Sequence, residues 1–176
     1  MTADGNYYWY NIEGEKYCLK KNTTLLTGWQ TIDKKRYYFD KTTGAMTKAA
    51  ALTISGSTYY FGTDGVMCTG CIVDGYGYNT KGQRVKGWQT ISGNRYYFDT
   101  KTYQLQTGDE SGLYQLGTKT YYLGTDGVLR YGWIETDGKN YYADKNGVLV
   151  SSWQKIDNDW YYFDKNTKVQ DGAVYI

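Results

Sequence analysis

The chain has 176 residues, 20 of them basic and 18 acidic, and it contains 22 Tyr, 6 Trp and 22 Gly but no Pro and no His. Because the two signs of charge are interspersed, we expect neither nucleic-acid binding nor a polybasic membrane anchor, and no apolar run approaches the ~18 residues of a membrane span. Without His the chain lacks the side chain that most often moves protons at neutral pH. We therefore expect no catalytic residues, no cofactor and no membrane insertion.

A motif of about 20 residues recurs along the chain. In chain order, copies begin near residues 8, 28, 50, 70, 87, 112, 132 and 152, and a truncated copy begins at 172. The clearest copies are GWQTIDKKRYYFDKTTGAM from Gly28 and GWQTISGNRYYFDTKTYQL from Gly87. Such self-similarity is the signature of a repeat architecture. We predict that residues 1–176 form a single repeat array without a second domain.

Each copy predicts one antiparallel β-hairpin and an all-β fold. In the copy at Gly28, residues 29–32 and 36–40 are the expected strands, and residues 33–34 are the turn. Other copies hold Ser-Gly, Asp-Gly or Asp-Asn at the turn, pairs that tolerate the positive φ of a two-residue turn. A lone hairpin is marginal in water, so we expect consecutive hairpins to stack and to bury one another's faces.

The register of this turn decides which side chains share a face of the hairpin. Side chains alternate along a strand, so one face carries Trp29, Thr31, Arg36 and Tyr38, and the other carries Ile32, Tyr37 and Phe39. We interpret the second face as core. The Trp position is occupied by Ala51, Cys71 or Leu113 in some copies, where we expect poor or absent pockets.

The three cysteines, Cys18, Cys68 and Cys71, are interpreted as small apolar fillers, because two of them replace aromatic residues of the repeat. A disulfide between Cys68 and Cys71 stays open as the alternative. A metal site is not expected, because His is absent and Cys18 is distant from the other two cysteines. The acidic residues recur at turn positions, which indicates turn chemistry and not an active site.

The combination of Gly-Trp, a turn, Tyr-Tyr-Phe and Gly-x-Met resembles the cell-wall-binding repeat of Gram-positive bacteria. That family includes choline-binding modules, the glucan-binding regions of glucosyltransferases and the C-terminal repeats of large clostridial toxins. The resemblance covers nearly the whole chain. It implies an elongated β-solenoid of stacked hairpins, one per repeat. It also implies a secreted or cell-surface, wall-associated module that binds a cell-wall polymer and targets a parent protein.

The candidate ligand-binding residues are the aromatic residues of the Trp face. We predict the best-formed pocket at Trp133, Tyr142, Leu149 and Trp153, extended by Trp160 and Tyr162, and further candidates at Trp9, Trp29, Tyr38, Trp88 and Tyr97. Choline-bearing teichoic acid and a glucan or other oligosaccharide both stay open as ligands, since aromatic rings attract cations and also stack on sugars. The alternatives are packing alone for each Trp, a structural spacer or protein-interaction stalk, and toxin-like binding of a host glycan.

Overall fold

The computed structural model describes residues 2–4, 6–21 and 23–164, and within this part the chain forms strands, isolated bridges and turns without a helix. The expected all-β class is therefore confirmed. The strands are β1 (Thr2–Asp4), β2 (Tyr7–Ile12), β3 (Glu15–Lys20), β4 (Thr24–Leu25), β5 (Gly28–Ile32), β6 (Lys35–Phe39), β7 (Ala50–Ile54), β8 (Ser57–Phe61), β9 (Cys71–Val73), β10 (Tyr76–Tyr78), β11 (Gly87–Ile91), β12 (Asn94–Phe98), β13 (Leu113–Leu116), β14 (Lys119–Tyr122), β15 (Gly132–Thr136), β16 (Lys139–Ala143), β17 (Ser152–Ile156) and β18 (Asp159–Phe163). No helix with the length and apolarity needed to cross a membrane occurs in this part of the chain.

Eight antiparallel hairpins follow one another, one for each repeat from residue 8 to residue 152. Hairpins 1 to 8 are β2–β3, β5–β6, β7–β8, β9–β10, β11–β12, β13–β14, β15–β16 and β17–β18. Strands β1 and β4 extend hairpin 1 into a four-stranded sheet. The truncated copy predicted at residue 172 lies outside the described residues.

The predicted turn and register of hairpin 2 are confirmed. Asp33 and Lys34 both adopt positive φ, 49° and 63°, as a two-residue turn between right-twisted strands requires. Trp29 is paired with Tyr38 and Thr31 with Arg36, so these four side chains share a face. We call this Trp-bearing side of every hairpin the outer face, and the opposite side the inner face.

The chain divides into two compact units, Met1–Val85 and Lys86–Ile176. In the first unit, the connector that follows one hairpin donates a backbone hydrogen bond to the preceding hairpin of the chain. The Met46 N–H donates to the Lys16 carbonyl, the Met67 N–H to the Arg36 carbonyl and the Arg84 N–H to the Thr58 carbonyl, each at 2.8 Å. Lys16, Arg36 and Thr58 occupy the same register position of successive hairpins, so one interaction is repeated from copy to copy.

The second unit uses the same connection. The Leu129 N–H donates to the Arg95 carbonyl at 2.9 Å, and the Leu149 N–H donates to the Thr120 carbonyl at 2.8 Å. Each of these connector residues is also buried, so the backbone bond and the apolar side chain hold the same joint.

The core is a series of small clusters between consecutive hairpins. In the first unit, Ile32, Tyr37 and Phe39 of the inner face of hairpin 2 pack with Cys18, Leu26 and Met46, and Trp9 of hairpin 1 lies against them. Tyr38, Phe61 and Met67 form the next cluster, with Trp29 and Tyr59 packed against it. The interpretation of the inner face as core is confirmed. The outer face contributes to the core as well, because it meets the inner face of the following hairpin.

The cysteines have two different roles. Cys68 and Cys71 form a disulfide, so their interpretation as small apolar fillers is wrong and the alternative is correct. The Cys68 N–H donates to the Tyr60 carbonyl and the Gly70 N–H to the Asn79 carbonyl, and these bonds fold the connector back so that the two sulfurs meet. Cys18 is a free and fully buried thiol, as the sequence predicted.

Candidate functional site

Trp29 joins hairpin 2 to hairpin 3. Its ring centroid lies 5.2 Å from that of Tyr38 on its own hairpin, 4.8 Å from Tyr59 and 5.7 Å from Phe61 on the next one. Edge-to-face and tilted contacts at these distances are favourable for aromatic pairs. The Trp position is therefore an inter-hairpin packing position, and only the remaining part of the ring is available to a ligand.

Three further Trp residues repeat this arrangement. Trp9 contacts Tyr37 and Phe39 of hairpin 2, Trp88 contacts Tyr121 of hairpin 6, and Trp133 contacts Tyr161 and Phe163 of hairpin 8, with centroid distances from 4.9 to 6.0 Å. Trp88 and Trp133 also contact the Tyr opposite them, Tyr97 at 5.1 Å and Tyr142 at 5.2 Å. Trp88 and Trp133 therefore pack both against their own hairpin and against another one.

A cation of the same hairpin covers the first three Trp rings. Lys16 Nζ lies 4.8 Å from the ring centroid of Trp9, Arg36 Cζ lies 4.3 Å from that of Trp29, and Arg95 Cζ lies 5.6 Å from that of Trp88. These three cations occupy the same register position. Each lies in the second strand of its hairpin, two residues before the residue that pairs with the Trp. The chain itself therefore supplies a cation to these three aromatic faces.

Hairpins 7 and 8 lack this cation. Asn140 and Trp160 occupy the position of Arg36. Every exposed large aromatic residue of the described part of the chain lies in or next to these two hairpins, with exposed fractions of 47% for Tyr131, 44% for Trp133, 42% for Trp153, 46% for Trp160 and 38% for Tyr162. The exposed Trp rings therefore lie on the two hairpins that lack a cation at the position of Arg36.

The charged neighbours of the two open faces differ. Glu135 is paired with Asn140 on the outer face of hairpin 7, beside Trp133, whereas Lys155 is paired with Trp160 on the outer face of hairpin 8. The face of Trp133 is therefore acidic and that of Trp160 is basic. An external cation is favoured at the first of them.

The structure brings some of the predicted pocket residues together and separates others. Trp133 meets Tyr142, and Trp153 meets Tyr162 at 5.3 Å with Trp160 on the same outer face. Leu149 is buried on the opposite side of hairpin 7, in a cluster with Ile134, Tyr141 and Ala143. Within the described residues no ring contact joins Trp133 to Trp153.

The remaining candidates differ in how far a ligand could reach them. Tyr38 and Tyr97 are buried, and Trp9, Trp29 and Trp88 are partly buried beneath a cation of their own hairpin. In hairpins 3 and 4, Ala51 and the disulfide-bonded Cys71 stand at the Trp position and present no aromatic ring there.

Sequence reasoning missed a polar cavity of about 260 Å³ beside hairpin 6. It is lined by Glu110, Gly112, Tyr122, Gly124, Thr125, Asp126 and Arg130. The expectation of a poor or absent pocket near Leu113 did not anticipate this cavity. Two features of the sequence could have indicated it: this copy begins 25 residues after the one before it, and Arg130 stands where the equivalent GTDG segment has Cys68.

The acidic residues after Tyr-Tyr-Phe serve as turn residues, as predicted. Asp40 Oδ1 accepts hydrogen bonds from the N–H groups of Thr42 and Thr43 at 2.9 and 2.7 Å, and these bonds hold the pKa of Asp40 below its usual value. Asp99 accepts the same bonds from Lys101 and Thr102, with the same effect on its pKa. No group of three or more His, Cys, Asp or Glu residues positioned for a metal ion was found among the described residues.

Comparisons with known proteins agree with the repeat assignment. A family model described as "Putative cell wall binding repeat" matches residues 27–46, 52–67, 86–101, 132–149 and 151–166. Glucosyltransferase-I of Streptococcus downei is 28% identical over 66% of this chain, which spans 11% of the enzyme's length. Toxin A of Clostridium novyi is 31% identical over 54% of the chain and 4% of the toxin. Both matches therefore cover only a small part of these proteins.

The chain is also similar in structure to choline binding protein F from Streptococcus pneumoniae. The TM-score is 0.73 with 29% identity, and the similarity covers 93% of this chain and 57% of that protein. A second crystal structure of the same protein, obtained in the presence of a tetrasaccharide-pentapeptide analogue of peptidoglycan, has a TM-score of 0.69 with 27% identity over 92% of this chain and 58% of that protein.

Proposed function

Because the chain belongs to the cell-wall-binding repeat family, we propose that it is a non-catalytic module that holds a polymer of the bacterial cell surface. The observation that carries this proposal is the ring of Trp133, which is 44% exposed although another hairpin follows it, on an outer face where uncharged Asn140 occupies the position of Arg36. Exposed Trp and Tyr rings lose contact with water when a ligand covers them, which is why such rings dominate binding surfaces.

The first ligand chemistry is a quaternary ammonium at Trp133. Three rings at the equivalent position already lie beneath a cation of their own hairpin, which supports cation binding as a general property of this position. Trp133 has no such cation, it is 44% exposed, and Glu135 lies on the same face. A cation over an aromatic ring contributes ~0.5–2 kcal/mol, so one face binds weakly and a polymer that bears many cations gains affinity by avidity.

The second ligand chemistry is a saccharide on hairpin 8. Trp153, Trp160 and Tyr162 share its outer face, and Lys155 beside them disfavours an external cation. Flat rings of this kind stack on the apolar faces of sugar units. The similarity to a glucosyltransferase and to a protein crystallised with a peptidoglycan analogue supports a polymer that contains sugars.

We propose further that the repeats form one β-solenoid array in a secreted or wall-associated protein, where they target a parent protein to its ligand. The joint that recurs between consecutive hairpins within each unit supports this arrangement. A spacer or protein-interaction stalk, or binding of a host glycan, would remain if the wall-binding experiment failed.

The test is binding of the chain to isolated Gram-positive walls that do or do not contain choline, measured by co-sedimentation. We expect retention on choline-bearing walls, release by millimolar free choline, and weaker retention on walls that lack choline. Retention that soluble glucan alone releases would favour the saccharide. No retention on any wall would refute the proposed function.

Asn140→Arg is the sharpest variant, because it places at hairpin 7 the residue that covers Trp29 and Trp88 in hairpins 2 and 5. We expect at least a tenfold loss of choline affinity at Trp133, equivalent to about 1.4 kcal/mol. Asn140→Gln is the matched control, since it lengthens the side chain without charge, and it should bind as the native chain does. Equal binding by both variants would exclude Trp133 as the ammonium site.

A further inference from the structure

The polar cavity of about 260 Å³ beside hairpin 6 is unlike the aromatic outer faces. It lies in the second unit, at the copy where Leu113 replaces Trp. Tyr122, the residue paired with Leu113, is one of its lining residues. Leu113 is smaller than the Trp of other copies, and the connection before this copy is longer than elsewhere in the array.

Glycine makes this cavity possible at one point. Gly112 has φ +80°, and a Cβ at that residue would lie 2.5 Å from atoms of the Tyr122 ring. Any other residue at 112 would therefore collide with the ring or force it to move. The ring consequently lies directly against the backbone of the loop that precedes hairpin 6.

The walls of the cavity are fixed by hydrogen bonds within the chain. The Gly108 N–H donates to the Gly124 carbonyl at 2.8 Å, and the Leu123 N–H donates to the Gly112 carbonyl at 3.0 Å. Asp109 Oδ1 accepts from the N–H groups of Ser111 and Leu113 at 2.9 and 3.0 Å. A site held in this way loses little conformational entropy when a ligand binds.

The polar groups of the cavity form a compact set of donors and acceptors. Arg130 Nη2 donates to Asp126 Oδ2 at 2.7 Å, and both side chains are about half exposed, so neither is withdrawn from a ligand. Glu110 and Thr125 complete the lining with a carboxylate and a hydroxyl. The equivalent GTDG segment at residues 62–65 is followed by Cys68 where this one is followed by Arg130, so it lacks the guanidinium.

We propose that this cavity binds one neutral pyranose unit of a polysaccharide. The Tyr122 ring provides an apolar surface for the C–H face of the sugar, while the guanidinium donates to its hydroxyl groups and the carboxylates accept from them. The volume is below the ~300–1,000 Å³ of pockets for drug-sized ligands, which suits a single sugar ring. The lining contains two carboxylates, Glu110 and Asp126, and one guanidinium, Arg130. The excess negative charge disfavours an anionic sugar.

The site deepens the proposed function, because it adds a saccharide site to a module that binds surface polymers. It is independent of the Trp faces of hairpins 7 and 8, so the two proposals fail separately. Loss of wall binding on Asn140→Arg says nothing about the cavity, and loss of sugar binding on a cavity variant says nothing about Trp133.

The experiment is a ¹H–¹⁵N NMR titration of the full chain with methyl glucoside and, in a separate arm, with glucuronate. We expect saturable shifts of the backbone amides of Tyr122, Thr125 and Arg130 with methyl glucoside at millimolar concentrations, and at least threefold weaker binding of glucuronate. Absence of shifts at these amides up to 100 mM methyl glucoside, or equal binding of the two sugars, would overturn the proposal.

Variants of the ion pair test the role of the polar groups. Arg130→Gln and Asp126→Asn should each weaken methyl glucoside binding about tenfold or more, whereas Asp64→Asn in the equivalent turn of the first unit should leave it unchanged. An exposed ion pair adds little to stability, so both variants are expected to fold, which the dispersion of their NMR spectra checks. Native affinity in a folded Arg130→Gln variant would contradict the site.

Discussion

The guanidinium carbon of Arg36 lies 4.3 Å from the centroid of the Trp29 ring, and the two residues share the outer face of hairpin 2. Arg36 thus occupies the position that an external cation would take. The same relationship between Arg95 and Trp88, and its absence at Trp133, divides the Trp positions into covered and open faces.

Removal of Arg36 should open the face of Trp29. In Arg36→Asn we expect the Trp29 indole signal to shift on titration with tetramethylammonium, whereas the native chain should show no such shift at this residue. The cost in stability should be small, about 0.5–1 kcal/mol, as for cation–ring contacts at exposed sites. ¹H–¹⁵N NMR of the indole N–H measures the first effect and urea unfolding the second.

Lys35→Asn is the control for this variant, because it removes the same charge one residue away, from the inner face. It should leave the Trp29 signal insensitive to tetramethylammonium. If the Trp29 signal of Arg36→Asn were also insensitive to tetramethylammonium, Arg36 would not be the group that closes this face.

Truncation of Trp29 and of Trp153 should distinguish a Trp that mainly stabilises the fold from one that mainly binds the polymer. Trp29 contacts Tyr38, Tyr59 and Phe61, so Trp29→Ala should lower the free energy of unfolding by about 3 kcal/mol or more. Trp153 is 42% exposed, so Trp153→Ala should cost clearly less stability while it weakens polymer binding. Urea unfolding followed by circular dichroism, together with wall co-sedimentation, measures both. The opposite order of stability losses would contradict the packing described for Trp29.

The buried thiol of Cys18 should make stability depend on alkaline pH. Burial raises the pKa of Cys18 from an ordinary value of 9.0 to about 11. Between these values the unfolded chain releases the proton and the folded chain keeps it, so stability is complete below pH 9 and falls as the pH rises towards 11. The full difference is about 2–3 kcal/mol. Urea unfolding from pH 8 to 11 should show a steeper fall for the native chain than for Cys18→Ala.

The tyrosines provide the background for that comparison. Burial also raises the pKa of Tyr37 and Tyr78, and their ionisation contributes a loss of stability in both chains. Only the difference between the native chain and Cys18→Ala therefore reports on the thiol. Identical slopes for the two chains would mean that Cys18 titrates normally.

Reduction of the Cys68–Cys71 disulfide should destabilise the first unit moderately. Loop-closure entropy for so short a loop predicts about 2 kcal/mol, and Cys71 stands where other copies have a packing Trp. Urea unfolding with and without dithiothreitol should show this loss for the native chain and no effect of the reductant on Cys68→Ser/Cys71→Ser. A reductant effect of equal size on the double variant would point to some other cause.

Sequence periodicity was sufficient to predict the hairpins, their turns and the faces of their strands. Each depends on neighbours within about ten residues: the two-residue turn at Asp33 and Lys34 fixes the register, and alternation then places Trp29 beside Tyr38. The burial of Ile32, Tyr37 and Phe39 followed from the same alternation. The side of hairpin 7 on which Leu149 lies could not be predicted from this alternation, because a connector residue has no strand register.

The sequence by itself therefore determined what is local: an all-β fold with one hairpin for each repeat in the described part of the chain, and with Trp and Tyr on one face. Tertiary structure decided which of those faces are open, since that depends on contacts between hairpins and on side-chain direction. It placed Arg36 over Trp29, joined Cys68 to Cys71, and opened a cavity at Tyr122 where one copy is longer than the others. A repeat pattern specifies positions that are equivalent in the backbone, whereas accessibility depends on the particular side chains that meet across each joint.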